Sequence, residues 1–274
     1  IGKLQKVANL SRDHTTQASS MHQPKPGTIA RMKRAFDHCV EDYARHRPTY
    51  PREVLDIVTD KVGVAADVGA GTGIFARQLA RRGWRVIAIE PSVPMLQCVG
   101  RSEEGQPVGT PATPICGAAE HIPLTDGSVN LVTAAQAFHW FNPPYALAEF
   151  GRVLAPGGLL ALVWNNRDHE RSEFVRDYES LIARYNKTYR REYRVQDGRR
   201  GVFTAEYHRI DHEWRIAAEA FVGFSRSVSY IRNVLSREQL PAFESELRAL
   251  MNDHFGDGDC HIPLRTDLWT ARRI

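Results

Sequence analysis

Cysteine is scarce and unpatterned in this 274-residue chain. The four cysteines, Cys39, Cys98, Cys116 and Cys260, form no Cys-x-x-Cys pair. That spacing excludes a zinc ribbon and a small disulfide framework, and the four read as small core residues. Long apolar runs are also missing. Val153 to Trp164 is broken by Pro156-Gly157-Gly158 and falls well short of the roughly 20 residues a membrane span needs. Residues 1–20 lack an apolar stretch followed by a small-residue cleavage site, so no secretory signal is read and a cytoplasmic protein is expected. Charge of one sign is not concentrated: 36 basic residues stand against 32 acidic ones, a net +4. This argues against a phosphate-tracking nucleic-acid surface. The one basic stretch, Arg190-Arg191 to Arg199-Arg200, contains Glu192 and Asp197 and reads as a solvated face. Asp257-Gly258-Asp259-Cys260-His261 lacks the ligand spacing of a calcium loop or a zinc site, so no metal is expected.

What remains is an ordinary globular composition, 42% hydrophobic and 25% charged. Residues 1–28 are polar and aperiodic and read as a flexible tail, with Met21 and Met32 as candidate native starts. Ile29, Met32, Phe36, Val40 and Tyr43 recur at spacings of three and four, predicting an amphipathic helix that ends before Pro48. Residues 29–60 are thus assigned to N-terminal cap helices, the second over Arg52 to Asp60. Strands are then predicted at Ala65–Val68, Arg85–Ile89, Thr113–Cys116, Ser128–Ala134 and Leu159–Trp164, with helices at Ile74–Arg82, Val93–Val99 and Tyr145–Val153. Alternating strands and helices imply an α/β fold with a doubly wound, mainly parallel sheet covered on both faces. Residues 61–168 form this core. In 169–274, helices are expected near Ser172–Tyr185 and Arg237–Met251, strand-like segments near Ile216–Phe224 and His261–Trp269, together building a lid and the last sheet strands.

The chemistry concentrates in Asp67-Val68-Gly69-Ala70-Gly71-Thr72-Gly73, at the end of the first predicted strand and the start of a helix. Glycines there permit positive φ and let a ligand approach the backbone. A dinucleotide fingerprint places glycine first, third and sixth, yet the sixth position is Ile74. The loop therefore suits a nucleoside ligand without a phosphate. Glu90, ending the second strand in Ala88-Ile89-Glu90-Pro91-Ser92, stands where a carboxylate accepts ribose hydroxyl protons.

Together with Met95-Leu96, Gly117-Ala118-Ala119-Glu120-His121-Ile122-Pro123 and Arg152-Val153-Leu154-Ala155-Pro156-Gly157-Gly158, these segments resemble the successive motifs of class I S-adenosylmethionine-dependent methyltransferases. Tyr43 to Pro51 and Gln136-Ala137-Phe138-His139-Trp140-Phe141 are similar to the methyltransferase type 11 group, which includes trans-aconitate methyltransferase-like and natural-product enzymes. His121 and Asn142-Pro143 depart from the usual pattern. The resemblance implies a seven-stranded Rossmann-like fold, the cofactor S-adenosylmethionine with product S-adenosylhomocysteine, and a small-molecule methyl acceptor from secondary metabolism, with no nucleic acid or membrane partner. It implies that Gly69, Ala70, Gly71, Thr72 and Gly73 surround the methionine end and that Glu90 holds the ribose. Pro91, Ser92, Met95, Ala119 and Glu120 would border the adenine, and Gln136 completes the cofactor set. Tyr43 and Arg47, four apart on one helical face, would cover the methionine portion and reach its carboxylate; an ordinary surface ion pair is the other reading of Arg47.

His139 is the candidate general base, since an imidazole accepts a proton near neutral pH. The alternative is that it caps the chain reversal or orients Trp140. Trp140, Phe141, Trp164 and Tyr230 are candidate acceptor contacts, with core packing the competing reading for Phe141. The expected reaction is in-line methyl transfer to nitrogen, oxygen or carbon. Three readings stand beside it. A carboxyl O-methyltransferase would need convergent cations, for which Arg226, Arg232 and Arg190–Arg200 are candidates. The others are a nicotinamide-dependent reductase, disfavoured by Ile74, and a non-catalytic cofactor-binding module.

Overall fold

A computed structural model describes residues 46–59, 61–99, 112–189 and 206–273. The predicted tail, most of the predicted helix over 29–47, Tyr43, Cys39 and the Arg190–Arg200 stretch lie outside the described residues.

The described chain opens with α1 (Arg52–Val58), followed by β1 (Val64–Val68), α2 (Ile74–Arg81), β2 (Arg85–Glu90) and the short α3 (Val93–Leu96). Then come β3 (Thr113–Cys116), β4 (Val129–Ala135), a 3₁₀ turn at Phe138–Trp140, α4 (Pro143–Val153) and β5 (Leu154–Arg167). The remainder comprises α5 (Glu173–Tyr185), β6 (Glu206–Ile216), α6 (Ala218–Ser227), α7 (Ser229–Arg232), α8 (Gln239–Phe255) and β7 (Cys260–Arg272). The seven strands form one sheet in the order β3-β2-β1-β4-β5-β7-β6. From β3 to β5 every pairing is parallel, while β7 runs antiparallel to both β5 and β6.

The period-2 alternation of a strand explains how this sheet is covered on both sides. On β1, Ala65 joins a core with Val54, Leu55, Phe75 and Leu79, whereas its neighbour Ala66 joins the opposite core with Leu147, Phe150 and Val153. On β5, Leu159, Ala161 and Val163 face the first core and Leu160, Leu162 and Trp164 the second. A third core, built on Phe174, Tyr178, Phe221 and Phe243, holds the C-terminal helices together.

Two expectations are corrected. The apolar stretch Ile216–Phe224 is not a strand: residues 218–227 form α6, which buries Phe221, Val222 and Phe224. Its alanines favour helix, and residues 221 to 225 are buried consecutively, as in a helix enclosed by its neighbours. The strand that pairs with β7 is instead the charged segment Glu206–Ile216. It lies at the sheet edge, where only alternate residues are half-buried, and so has no apolar run to announce it. In addition, β5 extends beyond the predicted Trp164 through Asn165, Asn166 and Arg167, each paired with β7. That extension brings Asn165, Asn166 and Arg167 to the wall of the cavity described below.

Candidate active site

A single cavity spans the carboxyl ends of β1, β2, β4 and β5 and runs up into the lid. Its floor begins at the glycine turn. The Gly69 and Ala70 N–H groups both donate to the Ile89 carbonyl, at 2.8 and 3.1 Å, so the turn leans on the end of β2. Gly69 has φ 69°, and a Cβ there would lie 2.6 Å from Ala137 Cβ and 2.9 Å from Phe141 Cζ. Only glycine meets both constraints. Arg77, buried on α2, donates to the Thr72 carbonyl at 2.6 Å and holds the turn from behind.

Two buried carboxylates flank the turn. Glu90 accepts from the Gly71 N–H and the Ser92 N–H, each at 3.0 Å. Asp67, the penultimate residue of β1, is 1% exposed and accepts from Thr133 Oγ1 at 2.6 Å. Burial pushes its carboxyl up to about 7, with the charge of Glu90 acting in the same direction and the Thr133 hydrogen bond opposing it. A cation brought beside this carboxyl would favour its ionised form and release its proton.

The cap segment 47–50 closes one side. Tyr50 exchanges two hydrogen bonds with the Gln78 amide: its N–H donates at 3.1 Å and its carbonyl accepts at 2.8 Å. Asn165 Nδ2 donates to the Thr49 carbonyl at 3.1 Å, and Thr266 Oγ1 donates to Asn165 Oδ1 at 2.6 Å. Arg47 lines the cavity, with its guanidinium carbon 5.1 Å above the Phe224 ring and Nη2 3.5 Å from the Ser227 carbonyl. Gln136 has a positive φ of 55°, uncommon for a residue with a side chain. Its N–H donates to the Val163 carbonyl at 2.8 Å and Nε2 to the Asn165 carbonyl at 2.6 Å, which hold the chain in that turn.

Of the predicted site residues, the cavity wall therefore gathers Arg47, Gly69, Ala70, Gly71, Thr72, Glu90, Met95, Gln136 and Trp140. Others stand behind it. Gly73 forms the N-cap of α2, and Ser92 is that of α3. Pro91 is buried beside Glu90, and Ala119 belongs to the core under β2. Glu120 accepts the Asn142 N–H at 2.7 Å.

The structure places several of the expected acceptor-side residues outside the cavity wall. His139 is exposed and outside the cavity wall, with its ring 5.2 Å from that of Trp140. Phe141 packs edge-on against Phe138 and Phe150. Trp164 is 4% exposed and wedged edge-on between Trp269 and Phe138. Both are core residues. Tyr230 stands one layer behind the wall, accepting from Arg167 Nη1 at 2.9 Å. Arg226 pairs with Glu244 at 2.9 Å, away from the cavity, and Arg232 is also outside the wall.

Sequence reasoning missed the lid half of the cavity. Asn165, Asn166, Arg167, Asp168 and His169 enter from the end of β5, Glu179 and Tyr189 from α5 and the turn after it, Trp214 from β6, and Leu264 and Arg265 from β7. Their only sequence signal was the polar run Asn165-Asn166-Arg167-Asp168 after an apolar strand.

The strand order, the glycine turn after β1 and the acidic end of β2 define the class I methyltransferase architecture. The comparisons agree. Residues 66–162 match the model of a methyltransferase domain family, described as type 11 in its name. An uncharacterised methyltransferase of Mycobacterium tuberculosis is 36% identical over 200 residues, covering 73% of this chain and 78% of that protein. An uncharacterised methyltransferase-like protein of Schizosaccharomyces pombe is 35% identical over 160 residues, covering 56% and 60%. Among solved structures, a type II methyltransferase from Anaeromyxobacter dehalogenans superposes with a TM-score of 0.64 at 27% identity, covering 83% of this chain and 98% of that one. The chain belongs to the type 11 methyltransferase family and is an S-adenosylmethionine-dependent methyltransferase.

Proposed function

We propose that the protein transfers a methyl group from S-adenosylmethionine to a nitrogen, oxygen or carbon nucleophile of a small organic molecule. The observation that carries this reading is one continuous cavity joining a glycine turn with two buried carboxylates to a lid lined by aromatic and polar side chains. Enclosure by cap and lid suits a small acceptor better than a polymer. Among the described residues no helix is long and apolar enough to cross a membrane.

The cavity fits the cofactor chemically. Glycine at 69 leaves the backbone open where a Cβ would collide with Ala137 and Phe141, Asp67 offers a buried acid to the ammonium group, and Glu90 retains lone pairs for the ribose hydroxyls. Arg47 supplies a cation for the cofactor carboxylate, and Met95 gives apolar cover for the adenine. When bound, the cofactor supplies an electrophilic methyl group on a sulfonium. The protein's part is to align, exclude water and orient: Trp140 and Gln136 border the acceptor side of the turn, and the Gln78 and Asn165 clasps hold the cap closed. No base is assigned to His139, and a nucleophile of low pKa needs none.

The test is calorimetric titration of the purified protein with S-adenosylmethionine and S-adenosylhomocysteine, with NADPH as control, followed by an acceptor screen. Micromolar binding of both sulfur nucleosides and none of NADPH is expected. Nicotinamide binding alone would overturn the reading, and cofactor binding without turnover on any acceptor would favour a non-catalytic module.

A further inference from the structure

The lid half of the cavity contains a cation that the methyl-transfer reading leaves without a task. Arg167, the last residue of β5, lines the cavity with a side chain only 7% exposed. Nη1 donates to Tyr230 Oη at 2.9 Å, while Nη2 reaches Tyr189 Oη at 3.3 Å and Glu179 Oε1 at 3.4 Å. The face of the guanidinium lies 5.1 Å from the Tyr178 ring. Its buried Nε–H meets no acceptor among the described residues. A buried donor left unmet is costly, and one long contact to Glu179 is far from the paired, shorter bonds that a guanidinium fork makes with a carboxylate.

Neighbouring charges are already committed. Asp168 accepts the Glu170 and Arg171 N–H groups at 3.0 and 3.4 Å and meets Arg209 at 3.3 Å. Arg265 is held by Asp267 at 3.2 Å. The same cavity wall includes Trp214, Phe224 and Leu264, the last paired with Arg167 across β5 and β7, apolar surface suited to the organic body of a ligand.

Position separates this cation from the transfer point. Ala135 on β4, level with the glycine turn, pairs with Val163 on β5. Arg167 lies four residues beyond Val163, about 13 Å further along the strand at roughly 3.3 Å per residue. Resting on the methyl-transfer reading above, we propose that the acceptor is bifunctional: a carboxylate at one end is anchored by Arg167 in the lid, and a separate nucleophile at the other end receives the methyl group. The carboxylate is a handle and is not esterified.

The full chain, saturated with S-adenosylhomocysteine, is titrated calorimetrically with 3-phenylpropionate and hexanoate and with the matching neutral amides. Each carboxylate should bind at least tenfold more tightly than its amide, and Arg167→Gln should erase that preference while leaving the affinity for S-adenosylhomocysteine within threefold. Removing Arg167 takes a cationic partner from the buried Glu179 and can loosen the lid, so Glu179→Gln is the second variant. It keeps the cation and removes the competing anion, and should tighten carboxylate binding severalfold; a merely structural ion pair would give no such gain. Equal binding of acid and amide by the unaltered protein, weaker carboxylate binding in Glu179→Gln, or methyl esters of these acids formed with S-adenosylmethionine would each overturn the proposal. Failure of S-adenosylhomocysteine itself to bind would overturn the methyl-transfer reading, and this inference with it.

Discussion

The Gly71 N–H donates to Glu90 Oε2 across 3.0 Å, joining the glycine turn after β1 to the acidic end of β2. The same carboxylate accepts the Ser92 N–H through its other oxygen, so its position is set before any ligand arrives. Hydrogen bonds to a charged group contribute about 1.5–3 kcal/mol. Glu90→Ala should therefore weaken S-adenosylhomocysteine binding by roughly tenfold to a hundredfold, and lower thermal stability by loosening the turn. Calorimetry and a thermal melt on the same sample check both, and unchanged affinity would remove the ribose assignment.

Gly69→Ala tests the floor of the cavity. The new methyl group would face Ala137 and Phe141 at distances that Cβ atoms do not tolerate, on a backbone with φ 69°. Strain and overpacking together should cost about 2–4 kcal/mol in urea unfolding. Phe141→Leu should recover part of that loss by giving up the ring edge, whereas a fully stable Gly69→Ala would contradict the packing described here.

The pH dependence of stability follows from Asp67. Its folded carboxyl titrates near 7, pushed up chiefly by burial, against an ordinary value of 3.8. Between those values the folded protein keeps a proton that the unfolded chain has released. The stabilising contribution is thus complete below pH 3.8 and disappears as pH rises through 7. Urea unfolding at pH 5 to 8 should show stability falling along this limb, and Asp67→Asn should flatten it. Binding of the cofactor's ammonium group at pH 6 should also expel a proton, seen as a binding heat that depends on buffer ionisation and vanishes in Asp67→Asn.

His139 lies outside the cavity wall, exposed beside Trp140. His139→Ala should leave the maximal rate within about threefold, against the 10²–10⁴-fold that general-base catalysis supplies. A hundredfold loss of kcat with cofactor affinity intact would restore the base role. Trp140→Ala, which removes cavity wall, should raise KM for the acceptor more than it changes cofactor binding.

Much was legible in the order of residues alone, for a local reason. The glycine turn, the acidic end of β2 and the alternation of apolar strands with amphipathic helices are short-range patterns whose geometry depends on neighbours in the chain. They sufficed for the parallel sheet and the family. The packing of Phe141 and Trp164 was not legible because an aromatic residue at a strand end looks the same from sequence whether it faces a ligand or a core. The charged β6 was hidden because an edge strand needs no apolar run, while the apolar α6 imitated a strand.

The sequence by itself determined the parallel sheet and the motifs the family shares, because both are written in contiguous segments. Only the tertiary structure decided the lid half of the cavity. Arg167, Glu179, Tyr189, Trp214 and Arg265 come from four separate segments of the chain and converge because β5 runs past the sheet and pairs with the reversed strand β7. Burial and partners, rather than residue type, give those side chains their roles. Both arise from contacts between segments as far apart as Arg167 and Tyr230, 63 residues away in the chain.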